Sequence, residues 1–268
     1  MTTIGQWLRD ARDESTRRDC EVLIAHALGA TRAHLYAHAN DPLPESSVAR
    51  IRELIDARRR GTPIAYLVGR REFWTLDLGV SPAVLIPRPE TEVLVELALG
   101  RLPRDARVLD LGTGSGAIAL SIKRERADCT VIATDVSADA IAIARRNADA
   151  LGLAVDTRVG DWYAAVANEA SFDAIVSNPP YVASGDPHLD LLVGEPTIAL
   201  VAGPDGLAAM RTIVAGAPAR LSVGGTLLVE HGFDQGNGVR ALFRAAGFIA
   251  VETHHDGAGH ERATLGTR

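Results

Sequence analysis

Between residues 106 and 177, short runs of strand formers alternate with longer stretches of helical periodicity, and this alternation most narrows the architectures open to the chain. Residues 107–112 precede a helical stretch at 117–126, residues 130–135 precede one at 137–151, and residues 173–178 form a further buried-strand pattern. Strands separated by helices pair in parallel, because each helix carries the chain back to the edge from which the next strand starts. The expectation is a parallel sheet covered by helices. Further on, the sequence predicts a helix over 205–221, a strand over 225–230 and a helix over 236–246. Two closing strands near 248–254 and 262–267 would form an antiparallel hairpin at the sheet edge.

The first 68 residues read as helical instead. Trp7, Leu8 and Ala11 share one face, and Val22, Leu23, His26 and Ala27 another that stops at Gly29. Val48, Ile51, Leu54 and Ile55 mark a third within residues 45–60, so a small helical bundle is expected. The junction falls at Arg70, where residues 72–80 turn to strand formers suited to a hairpin or an extended connector. The irregular stretch from Asn178 to Gly203 is long enough to expect a function for it.

With 268 residues the chain can build a large α/β domain and an appendage. Hydrophobic residues at 47% and charged ones at 23% exclude disordered, collagen-like and coiled-coil classes. A net charge of −6 argues against a broad grip on nucleic-acid phosphates. Residues 1–75 nevertheless hold twelve arginines and ten acids, a net +2 that leaves −8 for the remainder and favours an acidic protein partner there. The clusters Arg58-Arg59-Arg60 and Arg70-Arg71 read as helix-end or solvated charge. Cys20 and Cys129 form no disulfide or metal spacing, and His254 and His255, adjacent on a strand near His260 and Asp256, face opposite ways, so no metal is expected. No apolar run suits a membrane span or a signal peptide, which gives a cytoplasmic location with no membrane partner as the expectation.

Two motifs carry chemistry. Asp110 leads into Gly112-Thr113-Gly114-Ser115-Gly116 between a strand and a helix, where glycines admit a ligand close to the backbone. Nineteen residues past Gly116, Asp135 ends the next strand and is placed to accept from both hydroxyls of a ribose. An acid at the head of the loop suits a cation better than a pyrophosphate, which points to S-adenosylmethionine rather than a dinucleotide. Trp162, after Gly160-Asp161, is expected to stack on its adenine. The second motif, Asn178-Pro179-Pro180-Tyr181, ends a buried strand. Each proline holds the preceding residue extended, so the Asn178 side-chain oxygen and the Pro179 carbonyl become a stiff pair of acceptors for an NH₂ group, with Tyr181 packed on its plane.

With these motifs the chain resembles the HemK-type protein glutamine N5-methyltransferases of peptide chain release factors. The resemblance extends to Tyr66-Leu67-Val68-Gly69, the segment from Leu85 to Glu92, Glu195-Pro196, Ala199-Leu200 and Gly206-Leu207. It implies an α/β class I S-adenosylmethionine-dependent methyltransferase, with a Rossmann-like, mostly parallel sheet and an antiparallel edge strand, after a small helical domain. Residues 1–69 would be the substrate-docking domain, 70–84 the linker and 85–268 the catalytic domain. It further implies S-adenosyl-L-methionine bound by Gly112, Thr113, Gly114, Ser115, Gly116, Asp135, Trp162 and Asn178, with S-adenosyl-L-homocysteine as product. Asn178, Pro179 and Tyr181 would be catalytic, and with Pro180 they would hold the glutamine of a Gly-Gly-Gln loop. Arg88 either helps position that substrate or pairs with Glu90 or Glu92 as a clamp. A monomer acting on release factors is expected, and nucleic acid is not the expected substrate. The tetrapeptide is shared with amino methyltransferases of nucleic-acid bases, so methylation of adenine, cytosine or guanine is the alternative.

Overall fold

The computed structural model describes residues 3–9 and 14–268, which divide into two compact units, Met1–Arg70 and Arg71–Arg268. Ala11 lies outside the described residues.

The first unit is built from α1 (Ile4–Arg9), α2 (Glu14–Leu28), α3 (Arg32–Ala37), α4 (Glu45–Arg59) and α5 (Ile64–Val68). Its core gathers Ile4, Leu8, Leu23, Ile24, Leu35, Ile51, Leu54 and Ile55. On α2 the inward stripe is Cys20, Leu23 and Ile24, and His26 is exposed. The periodic face therefore sits a little to one side of the one expected from Val22 and His26, because positions three and four apart from Cys20 carry the larger apolar side chains. Arg58 pairs with Asp19 at 2.7 Å and Arg59 with Asp56 at 3.3 Å, so two of the three clustered arginines are neutralised locally.

The second unit opens with a hairpin of β1 (Arg70–Phe73) and β2 (Leu76–Gly79), whose Phe73, Leu76 and Leu78 enter the unit's core. After α6 (Glu92–Leu99) the alternation begins: β3 (Arg107–Leu111), α7 (Ala117–Glu125), β4 (Thr130–Asp135), α8 (Ala138–Leu151), β5 (Asp156–Val159) and β6 (Phe172–Ser177). It closes with α9 (Ala208–Gly216), β7 (Leu221–Glu230), α10 (Gly236–Ala245), β8 (Ile249–His255) and β9 (Glu261–Thr267). The seven strands run in the order β5-β4-β3-β6-β7-β9-β8. Strands β3 to β7 pair in parallel, and β9 lies antiparallel between β7 and β8. Val108, Val131, Val176 and Leu228 face α6 and α7, while Leu109, Leu111, Ile175 and Val229 face α9 and α10. Both faces are thus dry, which explains the near-continuous apolar runs of the parallel strands.

The helix expected over 205–221 is shorter. Asp205 accepts the backbone N–H of Leu207 just before α9, and Pro218 enters a 3-10 turn at Ala217–Ala219, so that Leu221 already starts β7. No helix among the described residues is long and apolar enough to cross a membrane.

Candidate active site

Chain order leaves β3 toward β4 and β5 on one side and returns to β6 on the other. A crevice opens where such a sheet reverses direction, at the carboxyl ends of β3 and β6, and both chemical motifs follow those two ends. Ser177 donates from Oγ to the Leu111 carbonyl at 2.7 Å, which ties the ends together. The cleft there has a volume of about 530 Å³, the size of a small-molecule site.

Gly112, Thr113, Gly114 and Ser115 form its floor. Gly112 and Gly114 have φ of 70° and 56°, values that any larger residue adopts only with strain. Gly116 caps the start of α7 and is not part of the lining. The loop is held from several directions. Thr113 N–H donates to the Thr134 carbonyl at 2.9 Å, and Asn147 Nδ2 donates to the Ser115 carbonyl at 2.8 Å.

Asp110 is fully buried beneath the loop. Its Oδ2 accepts from the Thr113 hydroxyl at 2.6 Å and from Ala119 N–H at 3.2 Å, and Oδ1 has no partner. Burial pushes this carboxyl up to about 7 against those two hydrogen bonds. Asp135 accepts from Gly114 N–H and Ser137 N–H, each at 2.9 Å, and burial raises its pKa as well. Asp135, Asp161 and Trp162 all line the cleft, and its described lining contains no lysine or arginine. Such a wall suits a cationic ligand and repels a pyrophosphate. Trp162 has φ of 44° and its ring would lie 3.8 Å from a Cβ built on Gly112, so the indole leans over the glycine loop.

Asn178 and Pro180 stand on the cleft wall, whereas Pro179 is buried and neither it nor Tyr181 belongs to the lining. Asn178 Nδ2 donates to Thr91 Oγ1 at 3.0 Å. The Tyr181 hydroxyl donates to Glu230 Oε1 at 3.2 Å, and its carbonyl accepts from Gln235 Nε2 at 2.9 Å. Burial, with the Glu230 carboxyl beside it, raises the Tyr181 phenol well above its ordinary value. A Cβ on Gly206, whose φ is 70°, would come within 2.3 Å of the Tyr181 carbonyl oxygen.

Arg88 pairs with neither Glu90 nor Glu92. Its guanidinium meets Glu195, whose second oxygen accepts Ile86 N–H at 3.0 Å, and Glu92 accepts the backbone N–H of Trp74 at 2.8 Å. A nearly buried carboxylate from a distant loop is the better partner, because there it also satisfies a backbone N–H. Glu230 and Arg262 are site-region residues that no motif includes, whereas Thr91 and Glu195 belong to the segments from Leu85 to Glu92 and Glu195-Pro196. An acid ending a parallel strand was the available signal for Glu230, as it was for Asp135. Asp256 turns inward to accept from Arg262 Nε at 3.1 Å and from the backbone N–H of Ala258 and His260, each at 3.0 Å.

Family models match the chain over residues 2–69, as the PrmC N-terminal domain, and over residues 89–194, as the methyltransferase small domain. The release factor glutamine methyltransferase of Xylella fastidiosa is 52% identical over 264 residues, covering 97% of this chain and 96% of its own. That of Escherichia coli is 46% identical over 269 residues, covering 97% of each chain. Among solved structures, the Thermus thermophilus 16S rRNA N2 G1207 methyltransferase RsmC, in complex with AdoMet and guanosine, shares the fold at a TM-score of 0.55. It is 22% identical, over 74% of this chain and 49% of that one.

Proposed function

The chain belongs to the release factor glutamine methyltransferase family, and from that premise we propose that its cleft transfers a methyl group from S-adenosylmethionine to the side-chain amide nitrogen of a release factor glutamine. One observation carries the reading: Asn178, fixed by Thr91, stands on the wall of the same cleft as the glycine loop and Asp135.

The residues fit the cofactor. Asp135 has lone pairs left for a ribose diol after accepting two backbone N–H groups, and Trp162 offers a flat face near the loop. Asp135 and Asp161 on the cleft wall, with no lysine or arginine in its described lining, favour a ligand carrying ammonium and sulfonium charge. When bound, S-adenosylmethionine supplies an electrophilic methyl on sulfur.

The chain's own part is orientation. The Asn178 oxygen and the Pro179 carbonyl accept the two hydrogens of the glutamine NH₂, which holds the nitrogen toward the methyl and favours the pyramidal geometry that attack requires. With the cofactor bound, Asn178 and Pro179 would hold the nitrogen so that it could take the methyl from sulfur, which would keep the bonding pair, and release one proton to solvent. The first unit docks the release factor, a role supported by its own family match and by the arginine excess of residues 1–75. The enzyme acts as a cytoplasmic monomer without a metal.

Mass spectrometry of a release factor incubated with the protein and S-adenosylmethionine tests this. One added methyl on the Gly-Gly-Gln glutamine, absent when that glutamine is replaced, is expected. No methyl on the protein, with cofactor binding intact and methyl appearing on nucleic acid instead, would overturn it.

A further inference from the structure

Two prolines in succession leave the middle of the Asn178–Tyr181 segment without backbone N–H groups, so its own donors can anchor it only from the two ends. Both ends are tied to β7. Just before the segment, Ser177 of β6 is in register with Val229 of β7. At its far end the Tyr181 hydroxyl donates to Glu230 Oε1 at 3.2 Å, so the segment is held at two neighbouring positions of one strand.

Glu230 is a firm post for such a tie. Its backbone pairs with Ala263 of β9, and the residue is 1% exposed, an unusual setting for a carboxylate. Oε2 has no hydrogen-bond partner among the described residues, which leaves the Tyr181 hydroxyl as the group this buried acid serves. Nothing in the transfer described above otherwise needs an acid here, and neither Glu230 nor Tyr181 belongs to the described lining of the cofactor cleft. The turn after β7 grips the same tyrosine at its other end. Gln235 Nε2 donates to the Tyr181 carbonyl at 2.9 Å, while Gln235 Oε1 accepts the Gly232 N–H at 2.8 Å. Gln235 thus holds the main chain of Tyr181, and Glu230 holds its ring.

We propose that Glu230 is a positioning residue that, through the Tyr181 hydroxyl, locks the far end of this segment and so holds the Pro179 carbonyl where it accepts from the glutamine NH₂. The inference rests on the methyl transfer proposed above. It makes tyrosine necessary at position 181, because phenylalanine has no proton to give the carboxylate. With the acceptor removed, the phenol is left unpaired in a half-buried place and turns toward water, taking the end of the segment with it. A carbonyl displaced in this way still meets the substrate but no longer aims its nitrogen, and a misaimed nucleophile loses rate more than binding.

The test measures glutamine methylation of a release factor, with saturating cofactor, by wild type, Glu230→Leu, Glu230→Gln, Tyr181→Phe and the double variant Tyr181→Phe/Glu230→Leu. Leucine removes the acceptor, and glutamine keeps one without charge. Glu230→Leu and Tyr181→Phe should each lower kcat roughly tenfold or more, with the KM for release factor and the Kd for S-adenosylmethionine within about threefold of wild type. Glu230→Gln should restore kcat to within about threefold of wild type, because its amide oxygen still accepts the phenol. The double variant should be no slower than Glu230→Leu within about threefold, since both changes break one hydrogen bond. It should also unfold at a higher temperature than Glu230→Leu, because removing both partners leaves no orphaned hydroxyl. If Glu230→Leu does not fold, Tyr181→Phe breaks the same bond from the other side, and with Glu230→Gln it carries the test. Wild-type kcat in Glu230→Leu or Tyr181→Phe, losses that multiply in the double variant, or Glu230→Gln as slow as Glu230→Leu would overturn the inference while leaving the methyl transfer standing. A wild type that transfers no methyl to glutamine would overturn the proposed function, and this inference with it.

Discussion

Replacing Asp135 by alanine removes a carboxylate that anchors the glycine loop and faces the cleft. Two of its roughly four lone-pair directions are taken by Gly114 and Ser137 N–H groups, which leaves about two for the ribose hydroxyls. Hydrogen bonds to a charged acceptor contribute about 1.5–3 kcal/mol each, so the diol pair amounts to roughly 3–6 kcal/mol. Asp135 is only partly buried, and water entering the vacated space recovers part of this, leaving a net loss of roughly 2–4 kcal/mol, or about 30- to 1000-fold in Kd for S-adenosylmethionine. Calorimetric titration at pH 8, where the wild-type carboxyl is ionised, reads this directly. Asp135→Asn retains one acceptor oxygen and should fall between wild type and Asp135→Ala. A Kd for Asp135→Ala within about threefold of wild type, in a protein with an unchanged unfolding midpoint, would refute the ribose role.

Asn178→Ala should keep its Kd for cofactor within about threefold while kcat drops roughly 100-fold or more, since it removes an acceptor that acts on the reacting nitrogen; unchanged single-turnover methylation would remove Asn178 from the mechanism. Gly206→Ala meets both an unfavourable backbone conformation and the Tyr181 carbonyl at 2.3 Å, so it should destabilise the protein by about 2 kcal/mol or more and lower Tm by roughly 4–8 °C. A Tm equal to wild type in thermal denaturation would show that the Tyr181 loop yields freely. Asp110 and Glu230 have carboxyls raised to about 7, above ordinary values near 4, so between those pH values the folded state holds protons that the unfolded chain has lost. Their contribution to stability therefore falls as pH rises across this window. Tm of the unliganded protein should be higher at pH 5.5 than at pH 7.5, with a shallower slope in Glu230→Gln, and the opposite slope would contradict the burial of these charges.

The parallel sheet was legible because its strands are buried on both faces and each is followed by a periodic helix. The loop from Gly112 to Gly116 and the Asn178 tetrapeptide were legible because glycine and proline constrain the backbone locally. What escaped depends on distance in space. Arg88 has acidic neighbours at Glu90 and Glu92, yet its partner Glu195 comes from another loop, and no local pattern marks that choice. The inward face of α2 was misjudged because Val22 and His26 fit a helical period almost as well as Cys20 and Ile24, and only the packing of the other helices selects between them. Glu230 is unremarked in sequence because its meaning lies in a contact made across space, where its carboxylate at the end of β7 accepts the Tyr181 hydroxyl.

The setting of the Tyr181 carbonyl bears on transplanting this chemistry to other scaffolds. That oxygen is gripped by Gln235 and admitted by the missing side chain of Gly206, while the phenol ends on Glu230 and the neighbouring Asn178 ends on Thr91. A four-residue graft would carry the letters of the motif without the shape that makes them acceptors. The smallest portable unit is the tetrapeptide together with Thr91, Gly206, Glu230 and Gln235, a set scattered along the chain that only a sheet of this topology brings together.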